Sequence, residues 1–558
     1  MKEKFYKLPI FWIFIGAFLL RILGIRWGLP NEMRNFSLHP DEQVNLLFAR
    51  QIIPTQLHFT PGAYNYGTLY LTLLRIVSDV VLTYSGGLDQ AGNMSSAAMG
   101  QIHLAGRLMN CFFGAGLASL TFAIGARTIS KTGAIIAASI VGVAPALLVH
   151  SRFQTVDMLA TLLAIASVYA CIRMMEADAP VTKWVVWAGV FAGLSAGTKY
   201  VGIVAIFAIV AAAIVIKQPK AIVFGVLAAL LAFVVSTPGC ILDREAFMRD
   251  FTFELNHSKE GHGVVFMATP PAFLFHIANL SAGASIFTLF LGLGGLGWAV
   301  AKKHTWGIIL AVFFVTYYFA VSGGQIKFMR YILPLIPVLA VGVGFVVQKV
   351  QEAGKEKLGL AIGLLVAGGL DRGALVQGGA LTAQMMMPDP RDVAGKFLID
   401  KGDVSVGLAN DPWFWSPTVN PDVDVSRMLG PKRLMELWMS WQKPRVLRYL
   451  PANPQERVEW DVRLLTEMKP DYVSFTSFEY IPFMRMAEVP NKTDHEGLYA
   501  SRYTEFMKVL QQDYEKVLDN DPTHYPMVED MEYVRPHVLV WQKKKTPPVT
   551  PEPSSAKP

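Results

Sequence analysis

The sequence predicts a polytopic α-helical membrane protein followed by a soluble α/β domain. Three observations carry that expectation. Of 558 residues, 53% are hydrophobic and only 17% charged, a balance that soluble domains rarely show. Apolar stretches of roughly 18 or more residues recur, the length a bilayer-spanning helix needs. Past Met385 the pattern changes: charge, Pro and Trp rise and the apolar runs shorten.

Hydropathy and loop charge give about eleven spans. The first is Leu8–Leu29, entered from Met1-Lys-Glu-Lys-Phe-Tyr-Lys7. No small-x-small cleavage site follows it, so it reads as an uncleaved span with a cytoplasmic N-terminus. Then come Leu104–Ala126, Gly133–Val149, Met158–Met175, Trp184–Gly197, Val201–Ile216, a span ending at Ser236, Ala272–Val300, Trp306–Ala320, Met329–Val347 and Leu358–Val376. This threading puts Arg127, Lys131, Arg173, Lys183, Lys217, Lys220, Lys302, Lys303 and Lys349 on one side, which the positive-inside rule makes the cytoplasm. The net charge of +7 is therefore an orientation signal and not a nucleic-acid footprint. The apolar segment Gly67–Tyr84 reads as a membrane-surface helix within the first outer loop, about residues 30–103.

The membrane domain is thus 1–384, and a soluble extracytoplasmic domain fills 385–545. Within it, Arg391–Lys401 and Arg457–Met468 read as amphipathic helices, and Val404–Leu408, Tyr472–Thr476 and Val538–Trp541 as strands. The tail 546–558 is Pro- and Ser-rich and reads as disordered. Cys111, Cys171 and Cys240 support neither a disulfide framework nor a cysteine metal site. Asn93-Met-Ser95 and Asn491-Lys-Thr493 match the N-glycosylation pattern.

The residues able to carry chemistry lie on the outer side of this threading. Phe36-Ser-Leu-His-Pro-Asp-Glu42 places Asp41 and Glu42 just after the first span, with Pro40 opening a short helix. Asp41 is either a general base or a helix-terminal charge. Glu42 either holds a cation or an acceptor, or faces water. Asp157 opens a span, and is a second functional acid or a cap; with Glu42 it could hold a divalent ion. Arg152 is a phosphate contact or a partner for Asp157. Lys199 interrupts apolar sequence, where a charge needs a partner or a task; it binds phosphate or snorkels. Arg330 and Lys327 flank a later span and are similar cations. Arg107 and Arg21 read as structural. His257 and His262, in Asn256-His-Ser-Lys-Glu-Gly-His262, match no zinc spacing, and read as an acceptor-contacting loop or a connector.

Taken in order, these pieces resemble the GT-C glycosyltransferases of the protein O-mannosyltransferase and aminoarabinose-transferase kind. The resemblance rests on His39-Pro-Asp-Glu42, Ala105-Gly-Arg107, His150-Ser-Arg-Phe-Gln-Thr-Val-Asp157, Gly193-Leu-Ser-Ala-Gly-Thr-Lys-Tyr200, Thr237-Pro238 and Phe328-Met-Arg-Tyr-Ile-Leu-Pro334. It covers nearly the whole membrane half; beyond residue 385 it is architectural only. It implies a GT-C fold and a polyprenyl-phosphate-linked sugar donor. The acceptor is a protein, glycan or lipid. Asp41 is the base, with Glu42 and Asp157 as accompanying acids. Lys199, Arg152, Arg330 and Lys327 are the phosphate contacts, and His39, His257 and His262 the acceptor or loop contacts. No cofactor is required, although a divalent metal is compatible.

One departure stands out: relatives carry a Lys-Pro-Pro-Leu type element late in the first loop, and here Asn65-Tyr-Gly-Thr-Leu-Tyr70 lacks that lysine. The resemblance places the protein in a bacterial inner (plasma) membrane with its catalytic side outward. The competing readings are an oligosaccharide transferase using a lipid-pyrophosphate donor, and a transporter or flippase.

Overall fold

The computed structural model describes residues 8–31, 34, 36–85, 96–176, 180–368, 373–419, 444–490, 492–521, 529–532 and 534–545. The tail 546–558, the Asn93 sequon and Asn491 lie outside these described residues. The chain divides into two compact units. The first comprises residues 1–389 with 424–428 and 522–535; the second comprises 390–423, 429–521 and 536–558.

The first unit is helical. Among its described helices, Ala97–Thr128, Thr305–Ser322 and Leu335–Glu352 are long and apolar enough to cross a membrane. A fourth candidate is the bent pair Ala272–Ala284 and Ile286–Ala301. Shorter apolar helices are Pro9–Ile22, Lys131–Val143, Val181–Ala196, Tyr200–Val215 and Lys220–Ser236.

Two segments expected as single spans are broken, each for a visible reason. Ala272–Val300 bends by 109°. Ser285 sits at φ 91, outside helical space, and its hydroxyl accepts from the Thr288 amide to start a second helix. Gly133–Val149 breaks before Pro145, which has no N–H to give the carbonyl of Val141. Arg21 repairs that loss. Its guanidinium donates to the carbonyls of Val141 (3.1 Å), Gly142 (3.0 Å) and Ala17 (3.0 Å), and to the Ser151 hydroxyl (3.0 Å). A buried arginine is thus the hydrogen-bond donor the broken helix needs.

Leu335–Glu352 is the central helix, buried over nearly all of its first thirteen residues. Glycines let its neighbours approach. A Cβ on Gly295 would lie 2.0 Å from the carbonyl of Gly342, and one on Gly133 would lie 2.4 Å from that of Gly344. Small residues at close contacts are the usual solution for helices that lack a hydrophobic driving force between them.

Between Pro9–Ile22 and Ala97–Thr128 the chain forms the helices Pro40–Gln51 and Leu69–Ser85. The linking stretch is pinned to other helix ends. The Leu69 amide donates to the Gly197 carbonyl (3.0 Å) and the Thr68 hydroxyl to that of Ser236 (2.8 Å). The Tyr200 hydroxyl donates to the Tyr64 carbonyl (2.7 Å), and the Tyr64 amide to Asp250 (2.8 Å).

The second unit holds a five-stranded sheet in the order β2-β1-β3-β5-β4. Its strands are β1 Ser405–Leu408, β2 Arg445–Leu447, β3 Tyr472–Thr476, β4 Tyr514–Asn520 and β5 Val538–Lys543. β1 runs parallel to β2 and β3; β5 runs antiparallel to β3 and β4. Trp460 is fully buried, with the rings of Phe475, Phe483, Tyr503 and Phe506 around it.

The helix expected over Arg457–Met468 is absent: Trp460 and Lys469 take left-handed backbone (φ 57 and 51), leaving only a wide turn at Leu464–Met468. The long helices are instead Ser477–Glu488 and Asp494–Asp513. Both open with a reciprocal capping box, Thr476 with Glu479 and Thr493 with Glu496.

Candidate active site

Pro40 stands at the first position of its helix, so Asp41 and Glu42 share the first turn, where the helix dipole favours anions. Successive helical positions point about 100° apart, and the two carboxylates diverge. Glu42 turns inward and is fully buried. Arg107 grips it with Nε and Nη2, each at 2.7 Å. The Gln154 amide donates to it at 2.7 Å, and the Ser37 hydroxyl also donates. Burial alone would push this carboxyl up; Arg107 overcomes that and holds it at about 2. Arg107 also donates to the carbonyls of Ile25 (2.8 Å) and Trp27. Glu42 and Arg107 therefore clasp the first loop to the long helix Ala97–Thr128. This corrects the expectation of Glu42 as a functional acid or metal ligand, because both its oxygens are already occupied.

Asp41 stays 26% exposed and meets Arg330 Nη1 at 3.2 Å. The Arg330 guanidinium lies over the Phe328 ring, 4.3 Å from its centroid. A second pair repeats the design. Asp157, 4% exposed, opens the helix Asp157–Arg173 and accepts from Lys199 Nζ at 2.6 Å. Lys199 precedes the tight helical turn Tyr200–Ala205, and its ammonium lies over the Tyr331 ring at 4.3 Å.

One turn, Met329–Ile332, thus supplies the cation of the first pair and the aromatic face under the cation of the second. Tyr66 ties the pairs together. Its hydroxyl is held well above its ordinary value by burial and by Asp41, with Arg330 opposing and Asp157 adding to the rise. Asp41, Asp157, Lys199 and Arg330 therefore form one compact cluster of balanced charge.

The lysine-free stretch Asn65–Tyr70 lies directly against this cluster. A Cβ on Gly67 would overlap the Gly197 carbonyl at 2.1 Å. Only glycine lets the loop sit on the turn that carries Lys199.

Other expected contacts are redirected. Arg152 is fully buried and points back into the helices, donating to the carbonyls of Arg21 (3.2 Å) and Leu20 (3.0 Å) and to the Thr382 hydroxyl (2.8 Å). It joins neither Asp157 nor the cluster, so its expected phosphate role is corrected to a structural one. Lys327 is also buried, with Nζ on the Thr269 hydroxyl (2.7 Å) and the Pro270 carbonyl (3.0 Å). It too is withdrawn from the phosphate contacts. His39 is buried beneath the cluster with its ring 4.4 Å from that of Phe153, a packing position and not an acceptor contact.

His257 Nε2 and His262 Nδ1 lie 3.1 Å apart. The His262 ring meets Phe328 edge-on at 5.3 Å, which brings this loop to the rim of the cluster. Among the described residues no three metal-ligating side chains gather.

Sequence reasoning missed Tyr66, Phe328 and Tyr331. The signal available was the aromatic pair flanking Arg330 in Phe328-Met-Arg-Tyr331, because cations near apolar surroundings often stack on rings. It also missed the return of residues 529–535 to the first unit. There Glu529–Glu532 packs against the turn Met329–Ile332, and the Trp27 indole donates to the Val534 carbonyl at 2.7 Å.

Residues 94–239 match the family model described as dolichyl-phosphate-mannose-protein mannosyltransferase. No characterised protein sequence matches the chain. Among solved structures, ArnT from Cupriavidus metallidurans in the apo state is similar over 95% of this chain and 97% of its own, at 14% identity and TM-score 0.50. The apo oligosaccharyltransferase of Archaeoglobus fulgidus is similar over 87% of this chain and 72% of its own, at 13% identity and TM-score 0.48. The Pmt1-Pmt2 protein O-mannosyltransferase complex of S. cerevisiae, bound to the sugar donor, is similar over 49% of this chain and 36% of its own, at 17% identity and TM-score 0.32. This is an integral membrane protein whose residues 94–239 are similar to that mannosyltransferase family and whose fold is similar to that of ArnT.

Proposed function

We propose that this protein transfers a sugar from a polyprenyl-phosphate donor to a hydroxyl or amine acceptor, with Asp41 as the general base. The acceptor is a protein, a glycan or a lipid. The observation that carries the reading is the contrast within one helical turn: Glu42 is sealed by Arg107, while Asp41 remains partly exposed beside Arg330 and the Lys199–Asp157 pair. A partly exposed carboxylate facing two cations has what this displacement requires.

Asp41 takes the acceptor's proton as the acceptor oxygen or nitrogen bonds to the anomeric carbon. The bond from that carbon to the phosphate oxygen breaks, and the lipid phosphate leaves with one further negative charge. Arg330 and Lys199 are placed to offset that charge. Asp157 acts on the reaction by holding Lys199. The family description supports the donor class, since its members use a dolichyl-phosphate sugar. The reaction takes place on the extracytoplasmic face of a bacterial inner membrane, with the second unit on the same side.

The test is donor turnover. Purified protein in lipid is given a mixture of polyprenyl-phosphate sugars with an envelope extract as acceptor source, and each donor is followed by mass spectrometry. Acceptor-dependent loss of one donor, abolished by Asp41→Asn, is expected. Loss only with lipid-pyrophosphate donors and a divalent metal would overturn the reading in favour of oligosaccharide transfer. Loss of no donor at all, with lipid binding intact, would favour a transporter or flippase.

A further inference from the structure

We infer that Glu529–Glu532 and Val534 form a positioning arm for the cluster: they hold the turn Met329–Ile332 in place, and through it the contacts that meet the donor's phosphate. This rests on the function proposed above and adds to it a segment that sets donor affinity from outside the cluster.

The path of the chain singles this segment out. Strand β4 ends at Asn520 and its antiparallel partner β5 begins at Val538, with these two residues paired. Strands so paired need only about two to five connecting residues. Here the connection runs from Asp521 to His537, beyond the ~12–15 residues at which loops become uncommon and tend to be either functional or mere linkers. The chain spends 522–535 in the first unit and re-enters the second at Pro536. Among the described residues, those of this arm are the only ones beyond Asp389 that belong to the first unit.

The root of the arm is fixed. His537 Nε2 lies 2.7 Å from Asp519 Oδ1 across the two strands, and its Nδ1 lies 2.7 Å from the Tyr480 hydroxyl. The Ser477 amide donates to the His537 carbonyl at 2.8 Å. The tip is fixed too. A linker leaves its apolar side chains to water, but Met531 is 2% exposed and Val534 1%. A single helical turn such as Glu529–Glu532 has no interior of its own and is not stable alone, so packing against the rest of the first unit orders it.

That packing reaches two walls of the cluster. On one side Glu529–Glu532 lies against Met329–Ile332, the turn that carries Arg330 beside Asp41 and the Tyr331 ring under Lys199. On the other, the Val534 carbonyl accepts from the Trp27 indole at 2.7 Å. Trp27 belongs to the wall that carries Asp41. Its carbonyl accepts from Arg107, the arginine that clasps Glu42. Its ring lies 5.5 Å from that of Phe153, which in turn lies 4.4 Å from the His39 ring. One short segment thus braces the Asp41 wall and the Arg330 wall together. A displacement of about 1 Å in a group that positions substrate can cost about a hundredfold, so the arm has leverage without touching the reacting atoms. Because the turn it holds carries the proposed phosphate contacts, loosening it weakens donor use and leaves acceptor affinity alone.

The experiment measures transfer by the full-length chain in lipid for wild type, Met531→Ala, Val534→Ala and the conservative Met531→Leu. Donor KM and the half-saturating amount of acceptor are determined separately, beside a melting curve. Met531→Ala and Val534→Ala should each raise the donor KM about tenfold or more, with acceptor saturation as in wild type. Met531→Leu, which keeps the volume, should restore the wild-type donor KM. A merely structural role predicts a different split: a smaller folded fraction lowers turnover per mole of protein and leaves donor and acceptor saturation unchanged, and that result overturns the inference. A shifted acceptor saturation with an unmoved donor KM overturns it as well. If Met531→Ala does not fold, Val534→Ala, the smaller truncation, decides the matter. Failure of wild type to consume any lipid-phosphate sugar would count against the proposed function, whereas a normal donor KM in active arm variants counts only against the arm.

Discussion

Glu42 is fully buried and held by Arg107 through two contacts of 2.7 Å, whereas Asp41, one residue earlier on the same helix, is 26% exposed and lies 3.2 Å from Arg330. Both are acidic residues paired with arginine, yet only one is available to a substrate. A carboxylate with every lone pair engaged in a dry site is an architectural clasp. A carboxylate with an open side can take part in chemistry. Asp157 lies between these extremes: nearly buried and tightly paired, but through a lysine that faces the same cluster. Glu479, in the second unit, extends the comparison. It is buried too, but it caps a helix where Glu42 meets a guanidinium, and burial raises its carboxyl to about 7.

The largest expected effect tests the open member. Asp41→Asn should lower transfer by about a hundred- to ten-thousand-fold, since the amide cannot take the proton. The thermal midpoint should stay at the wild-type value. A turnover assay paired with a melting curve checks both halves.

Glu42→Gln should do the reverse, destabilising the protein by about 3–5 kcal/mol because Arg107 is left buried without its charge. Activity should fall only with the folded fraction. Denaturant unfolding measured beside turnover distinguishes the two; wild-type stability with lost transfer would break the comparison.

The pH dependence should separate the two buried carboxylates. Glu42 sits below its ordinary value, so its stabilisation is present above about pH 4.5 and is lost as pH falls through about 2. Glu479 sits above its ordinary value, so its contribution is full below about pH 4.5 and is lost as pH rises through about 7. Trp460, in the core of the second unit, reports that unit's unfolding by fluorescence. Its midpoint should drop between pH 5 and pH 8, and Glu479→Gln should flatten that drop.

Lys199→Ala should raise the donor KM about tenfold with a smaller effect on folding, since Asp157 can regain solvent. Unchanged donor saturation and turnover would remove Lys199 from the phosphate site. The smallest effect belongs to Trp27→Phe. It removes the donor to the Val534 carbonyl and should destabilise the protein by about 1 kcal/mol, read as a small drop in thermal midpoint.

Much of this was legible in order along the chain. Composition alone marks a membrane protein, because the bilayer imposes its requirement on every apolar stretch independently. The spaced motifs from His39-Pro-Asp-Glu42 to Phe328-Met-Arg-Tyr331 point to the glycosyltransferase fold. Helix breaks were harder to read. Pro145 was visible, but the Arg21 donor that makes its break tolerable comes from another helix. The fold at Trp460 depends on left-handed backbone that no local propensity announces. The long helix Asp494–Asp513 did carry a readable signal, Thr493 with Glu496, which hydrophobic periodicity alone overlooks.

By itself, the sequence determined the membrane character, a resemblance to one kind of glycosyltransferase fold and the short set of acids and bases worth considering, because hydropathy and motif spacing are local properties. Only the tertiary structure decided which of those groups are open and which are closed. Glu42 is sealed by an arginine 65 positions away, Arg152 and Lys327 are turned onto backbone and hydroxyl partners, and Asp41 keeps an accessible face beside Arg330. Burial and ion pairing are set by residues distant in the chain that folding brings together, so a carboxylate's chemical role is a property of its surroundings and not of its motif.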